Sequence, residues 1–200
     1  MRPTQAAFPA LRFRRLRRTD ALRRLSAETA LTPGDLIWPL FVRDGTGVEE
    51  PVPSMPGVAR LSVDRVVRAA EAAAGLGIPA LCLFPYTDPA LRSDDCAEAW
   101  NPDNLANRAI RAIKAAVPEV AVMTDVALDP YNAQGHDGLV KGGTILNDET
   151  VDALVRMALA QAEAGADILG PSDMMDGRVG ALRAALEAAG ALVLGELRPG

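Results

Sequence analysis

The chain has 200 residues, 49% of them hydrophobic and 24% charged, with two cysteines. That length allows one good-sized core or two small ones, and the apolar runs are too short and interrupted for the ~18 to 20 residues of a membrane span. The formal net charge of −5 is unevenly spread: Arg2, Arg12, Arg14, Arg15, Arg17, Arg18, Arg23 and Arg24 are balanced only by Asp20, and the residues that follow carry 13 basic against 25 acidic side chains. The basic N-terminus lacks the apolar run and small residues of a secretory signal. Cys82 and Cys96 have no CxxC spacing, and Cys82 inside ALCLF reads as a small buried hydrophobe. A soluble, reduced, cytoplasmic protein is expected.

An arginine-rich arm over residues 1–30 on an acidic body, 31–200, has three readings: nucleic-acid binding, a solvated tail, or docking on the acidic surface of a neighbouring copy. Only Phe8 and Phe13 are available there to stack on bases, which argues against nucleic acid.

Beyond the arm, LIWPLFV (Leu36 to Val42) reads as a strand covered on both faces, followed by a loop dense in Gly and Pro. Ser62 to Gly75 reads as a helix that Ser62 can cap. Then come a strand at Ala80 to Phe84, a polar loop to Pro102, and a helix at Asn104 to Val117 with Leu105, Ala109, Ile110 and Ile113 in one stripe. A strand over Val120 to Leu128 leads into a glycine-rich excursion with a small hairpin turning at Lys141 to Gly143. Helix Glu149 to Gly165, strand Ala166 to Ser172 and helix Gly177 to Gly190 follow, and ALVLGEL begins a fifth strand.

Successive β-then-α units imply parallel strands joined by right-handed crossovers, in an open doubly wound sheet or part of a barrel. No GxGxxG follows the first strand and no GxxxxGK[ST] occurs, so the nucleotide-binding open sheets lose their main support. The barrel is favoured, although a whole one takes roughly 250 residues and eight units, about twice what is here. Two segments, MTDVALDPYNAQGHD (Met123 to Asp137) and GPSDMMDGRVG (Gly170 to Gly180), set carboxylates, a hydroxyl and glycines where apolar strands stop. Charges there are costly unless they serve a site, and two clusters at successive strand ends suggest one pocket on the top face of a barrel.

The segments RFRRLRR, LSAETALTPGDLIWPLFVRDG, MPGVARLSVD, EAWNPDNLANRAIRAIK, TDVALDPYNAQGHDG and LNDETVDALVRMALAQAEAGADILGPSDMMDGRVGALR together resemble the porphobilinogen synthase (delta-aminolevulinic acid dehydratase) family from about Leu11 to Gly190. The resemblance implies an α/β fold of the TIM (β/α)8 class, about half of it present, with an arm that wraps a neighbour in an octamer, hexamer or related homo-oligomer. It implies a hydro-lyase that condenses two 5-aminolevulinate molecules into porphobilinogen on the way to haem and other tetrapyrroles. Asp125 matches a family aspartate that binds the substrate amino group and assists proton transfer. Ser172 matches a serine that hydrogen-bonds substrate. Asp125 could instead cap a loop or pair with an arginine such as Arg178, and Ser172 or Asp173 could cap the helix that follows.

Zinc-dependent members have three cysteines where this chain has Ala127, Asp129 and Asp137, so a three-thiolate zinc site is not expected. The resemblance is to the zinc-independent group, which uses Mg2+, a monovalent cation or no metal there; carboxylates suit hard ions. His136, the only histidine, reads as a hydrogen-bonding group in a glycine-rich loop, with metal ligation the alternative. Asp129 and Asp137 are expected to support the loop or the water beside the substrate.

The family holds its two substrates as Schiff bases on two lysines. The lysines here, Lys114 and Lys141, match neither: Lys114 reads as a solvated helix residue and Lys141 as a turn. Either the chain is an incomplete or frameshifted form of the enzyme, or it is a non-catalytic shortened paralogue acting in assembly or binding through its arm. The expectation is that it does not turn over 5-aminolevulinate alone.

Overall fold

The computed structural model describes residues 7–191 and 193–195. They fall into two compact units, Met1–Thr32 and Pro33–Gly200. In the first, a 3-10 turn spans Phe13–Arg17, and helix α1 (Asp20–Leu25) begins where the Thr19 hydroxyl accepts the Leu22 amide at 3.2 Å. An acceptor at that position satisfies one of the orphan donors of the first turn.

The second unit runs β1 (Ile37–Val42), β2 (Glu49–Pro51), β3 (Ala59–Leu61), α2 (Val63–Leu76), β4 (Ala80–Pro85), α3 (Leu105–Ala116), β5 (Ala121–Val126), β6 (Val140–Lys141), β7 (Thr144–Ile145), α4 (Asn147–Ala164), β8 (Ile168–Pro171), α5 (Arg178–Ala188) and β9 (Leu194–Gly195). The main sheet has the order β2-β3-β1-β4-β5-β8-β9. Strands β1, β4, β5, β8 and β9 are mutually parallel neighbours in chain order. A doubly wound sheet places its helices on both faces; here the β2–β3 hairpin lies on the outer side of β1, while from β1 onward the order β1-β4-β5-β8-β9 runs one way and α2, α3, α4 and α5 pack each on the next along one face. That progression is the winding of a barrel.

The core lies between sheet and helices. Leu40 and Val42 of β1, Leu81 and Leu83 of β4, Val122 and Val126 of β5 and Leu169 of β8 meet the stripe Leu105, Ala109, Ile110 and Ile113 of α3 and Ala153, Leu154 and Met157 of α4. Alternation along a strand sends the other residues to the opposite face. On β5 those are Ala121, Met123 and Asp125, each half-buried.

Three local readings are corrected. The Gly- and Pro-rich stretch after β1 contains the β2–β3 hairpin, whose β3 pairs parallel with β1 through Phe41 with Arg60 and Val42 with Leu61. Glu50 on β2 pairs with Arg43 and with Arg60 (2.9 Å), a charge clasp invisible to apolar periodicity. Ser62 does not cap α2 with its side chain: its hydroxyl donates to Asp64 Oδ1 at 2.6 Å and accepts the Val48 amide, because a nearer carboxylate competes for it. Lys114 is not simply solvated; its ammonium bonds the Pro118 carbonyl and pairs with Asp167 at 3.0 Å. The hairpin between Lys141 and Thr144 turns through Gly142 and Gly143 at φ 59° and 78°, left-handed values that glycine takes without strain. The fifth strand is described only at Leu194–Gly195; the remainder of ALVLGEL lies partly outside the described residues. No helix among the described residues is long and apolar enough to cross a membrane.

Candidate active site

The register aligns Phe41 with Phe84 and Asp125 with Gly170, and one more step along the β4–β5 pairing sets Phe84 beside Asp125. These four form the last layer of the sheet face opposite the helices, at the carboxyl ends of the strands. The Phe41 and Phe84 rings lie 5.8 Å apart, tilted 44°. Gly170 belongs there for lack of a side chain: a Cβ would stand 2.7 Å from Met123 Cε.

Loops complete a mouth above this layer. The segment after β5 turns on the Leu128 carbonyl, which accepts the amides of Tyr131 and Asn132, and buried Leu128 and Tyr131 anchor it. It docks on the loop after β4 by Ser93 N to Tyr131 O (3.1 Å) and Ala133 N to Ser93 O (3.2 Å). A cavity of about 380 Å³ results, lined by Phe41, Phe84, Pro85 and Pro130 and by the charged groups of Arg60, Arg92, Asp125 and Asp129, with Tyr86. Such a volume suits a small molecule. The Tyr86 ring has the Arg60 guanidinium 4.6 Å and the Arg92 guanidinium 5.6 Å from its centroid. Both cations therefore share the Tyr86 ring.

Carboxylates line the same cavity. Burial first, then the charges of Asp129, Asp137 and Asp173, push the Asp125 carboxyl up to about 7. Asp129 is raised by burial and by Asp137, and held back by its own backbone amide and Arg92. Asp173 is raised by burial, against the Met175 amide and Arg178. Like charges in a poorly solvated site cannot all ionise, so one is kept protonated near neutral pH. Asp125, held near 7, is that group, and a proton poised there is what acid–base work at neutral pH requires.

Of the residues marked in the sequence, Asp125 and Asp129 line the cavity, and Asp137 acts on Asp125 by its charge. Ser172 is exposed, on the same pleat face as Asp125 and Gly170 and two residues beyond the latter; its amide bonds the Val126 carbonyl at 3.2 Å. It does not cap α5, which starts at Arg178 with Gly177 as its N-cap. Arg178 pairs with Asp173 at 2.9 Å rather than with Asp125, and Asp173, its side chain sealed from solvent, accepts the Met175 amide at 2.7 Å. His136 accepts the Gly138 amide on Nδ1 at 2.9 Å, which places the ring proton of the neutral form on Nε2. Ala127 offers no donor atom, and among the described residues no three His, Cys, Asp or Glu side chains stand close enough to hold a metal ion. Sequence reasoning missed Arg60, Tyr86 and Arg92 as pocket residues and saw Asp173 only as a cap.

A parallel β/α half barrel with a buried carboxyl held near 7 at a strand end has the architecture of the barrel enzymes. The chain matches the model of the delta-aminolevulinic acid dehydratase family over residues 10–194, and it belongs to that family. It is 60% identical over 183 residues to the delta-aminolevulinic acid dehydratase of Rhodobacter capsulatus, covering 92% of this chain and 55% of the relative. With that of Bradyrhizobium diazoefficiens it shares 58% over 189 residues, covering 92% and 54%. The crystal structure of the Toxoplasma gondii ME49 enzyme with its product porphobilinogen superposes with a TM-score of 0.88 at 45% identity, over 96% of this chain and 55% of that one. The chain thus spans about half the length of the relatives it matches, and its fold is about half of a TIM barrel.

Proposed function

We propose that this chain carries the first half of the pocket in which two 5-aminolevulinate molecules condense to porphobilinogen, a lyase step of haem and tetrapyrrole synthesis. The observation that carries the reading is one small cavity lined by both arginines and carboxylates. 5-Aminolevulinate is a short zwitterion, with a carboxylate at one end and an ammonium at the other. Arg60 and Arg92 match the first, and Asp125 and Asp129 the second. Asp125, with its carboxyl near 7, accepts the proton that the amine must lose before it becomes a nucleophile, and can return it later. Ser172 hydrogen-bonds substrate from the neighbouring strand end. Asp137, His136 and the Asp173–Arg178 pair hold the loops and tune Asp125.

Neither lysine lines this cavity, since Lys114 is tied to Asp167 and Lys141 sits in the hairpin, so the Schiff-base step is not one that these 200 residues perform. Mg2+ or a monovalent cation is the ion that oxygen donors at Asp129 and Asp137 would favour, but among the described residues no three ligands converge to hold one. Residues 1–30 act as an assembly arm in a homo-oligomer and 31–200 as the partial barrel.

The test is a chimera that joins this chain to the remaining half of the Rhodobacter capsulatus relative. The chimera forms porphobilinogen, its Asp125→Asn variant loses at least about 100-fold in kcat, and the 200-residue chain alone forms none. A folded chimera without turnover removes the proposal.

A further inference from the structure

In a parallel ladder a residue donates its N–H to one residue of the neighbouring strand and accepts at its C=O from the residue two further on. Ala121 donates to the Pro79 carbonyl, which sets the phase of the β4–β5 seam: Ala121, Met123 and Asp125 face β4, and Pro79, Leu81, Leu83 and Pro85 face β5. The alternation is confirmed on the other edges, where Val122 and Val126 carbonyls accept from Asp167 and Ser172, and the Tyr86 amide goes to Val42 of β1. By this phase the donor due to the Asp125 carbonyl is the amide of residue 85. Residue 85 is proline, which has no N–H. The ladder therefore fails at the residue that bears the working carboxyl.

The gap is filled from α4. Gln161 Nε2 donates to the Asp125 carbonyl at 3.1 Å, and Gln161 Oε1 accepts the Thr124 hydroxyl at 2.8 Å. Gln161 is 1% exposed and Thr124 1%. A primary amide dropped into the apolar stripe of a helix costs free energy unless both its ends are bonded, and here both bonds go to adjacent residues of one strand end. We infer that Gln161 is a positioning residue, which replaces the hydrogen bond that Pro85 cannot give and thereby fixes the peptide of Asp125 and the aim of its carboxyl into the cavity. The inference rests on Asp125 being the proton-transfer group, but its readout is the state of Asp125 rather than turnover, so the two can fail separately.

The experiment uses the intact chain and its compensating pair. In the wild-type chain, NMR is expected to show a through-hydrogen-bond coupling between Gln161 Nε2 and the Asp125 carbonyl carbon, and a titration midpoint for Asp125 near 7. Gln161→Leu moves that midpoint by at least half a pH unit and speeds exchange of the amides around Asp125 by about tenfold or more. Pro85→Ala in the Gln161→Leu background supplies the missing ladder donor and restores at least half of each change, which mere filling of space by Gln161 does not foresee. Absence of the coupling in the wild type, no effect of Gln161→Leu, or an effect that Pro85→Ala leaves untouched would each overturn the assignment. If Gln161→Leu does not fold, Gln161→Met, closer in shape, takes its place in the same cycle, and the wild-type coupling alone still decides.

Discussion

Asp125 stands among three other carboxylates because successive strand ends deliver them to one mouth, and this arrangement is a thermodynamic burden. Its carboxyl moves from 3.8 to about 7 on folding, burial leading and Asp129, Asp137 and Asp173 following. The folded state then holds the proton more tightly than the unfolded chain. Stability that is fully present below about pH 4 is lost as the pH rises through 7, and Asp129 and Asp173, also raised, act in the same direction. The ceiling for Asp125 is roughly 4 kcal/mol. Asp125→Asn is therefore expected to be more stable than the parent at pH 8 by on the order of 2 kcal/mol, with no advantage at pH 4, in urea titrations at the two pH values. A parent as stable at pH 8 as its variant would mean that the carboxyl is ordinary. Asp125 was legible in the sequence because it ends an apolar run. Arg60, Tyr86 and Arg92 were not, since they converge only through the pairing of β3 with β1 and the fold of a loop, neither of which has a local signature.

Elements with a strong period were legible: the stripe Leu105, Ala109, Ile110 and Ile113 lies buried in α3, and the alternation along β5 puts Asp125 opposite the core. The three-residue strands β2 and β3 were not, because Glu49, Glu50 and Pro51 carry no apolar alternation, and Pro51 is tolerated on the outermost strand where an N–H is not needed. Gln161 carried a signal that went unread: it falls in the buried stripe of α4 with Leu154, Met157 and Ala158, where a lone amide demands a partner. The same scale explains Gly138. A Cβ there would lie 2.9 Å from Met175 Cε, 3.0 Å from Ile145 Cγ2 and 3.3 Å from Thr150 Oγ1, so the loop after β5, the β6–β7 hairpin, α4 and the segment before α5 meet at one glycine. Gly138→Ala is expected to cost about 1 to 3 kcal/mol by thermal or urea unfolding, and to move the NMR resonances of His136 and Asp137 beside it. Unchanged stability would show that the four segments are loosely joined.

At the scale of the whole molecule charge is distributed asymmetrically. Beyond Arg24 the chain carries 13 basic and 25 acidic residues, and the stretch up to and including Arg24 carries eight arginines. The arm also shows Phe8, Phe13, Leu16 and Leu25 to solvent, the first at 76% and the last at 83% exposure, more apolar surface than a solvated tail has reason to keep. Opposite charges would draw the arm of one copy to the body of another, and the apolar side chains would hold it once docked. Docking of this kind weakens with salt, because exposed charges are screened within about 10 Å at 0.1 M. Sedimentation of the intact chain is expected to show a mass above that of the monomer at low ionic strength, falling as salt is raised. Replacing Arg14, Arg15, Arg17 and Arg18 together by serine should produce the smaller species at every salt concentration while leaving the far-UV circular dichroism of the barrel half in place. Equal masses for parent and variant at low salt would take the arginines out of assembly, and salt-sensitive retention of the parent on DNA would then favour a nucleic-acid role for the same residues.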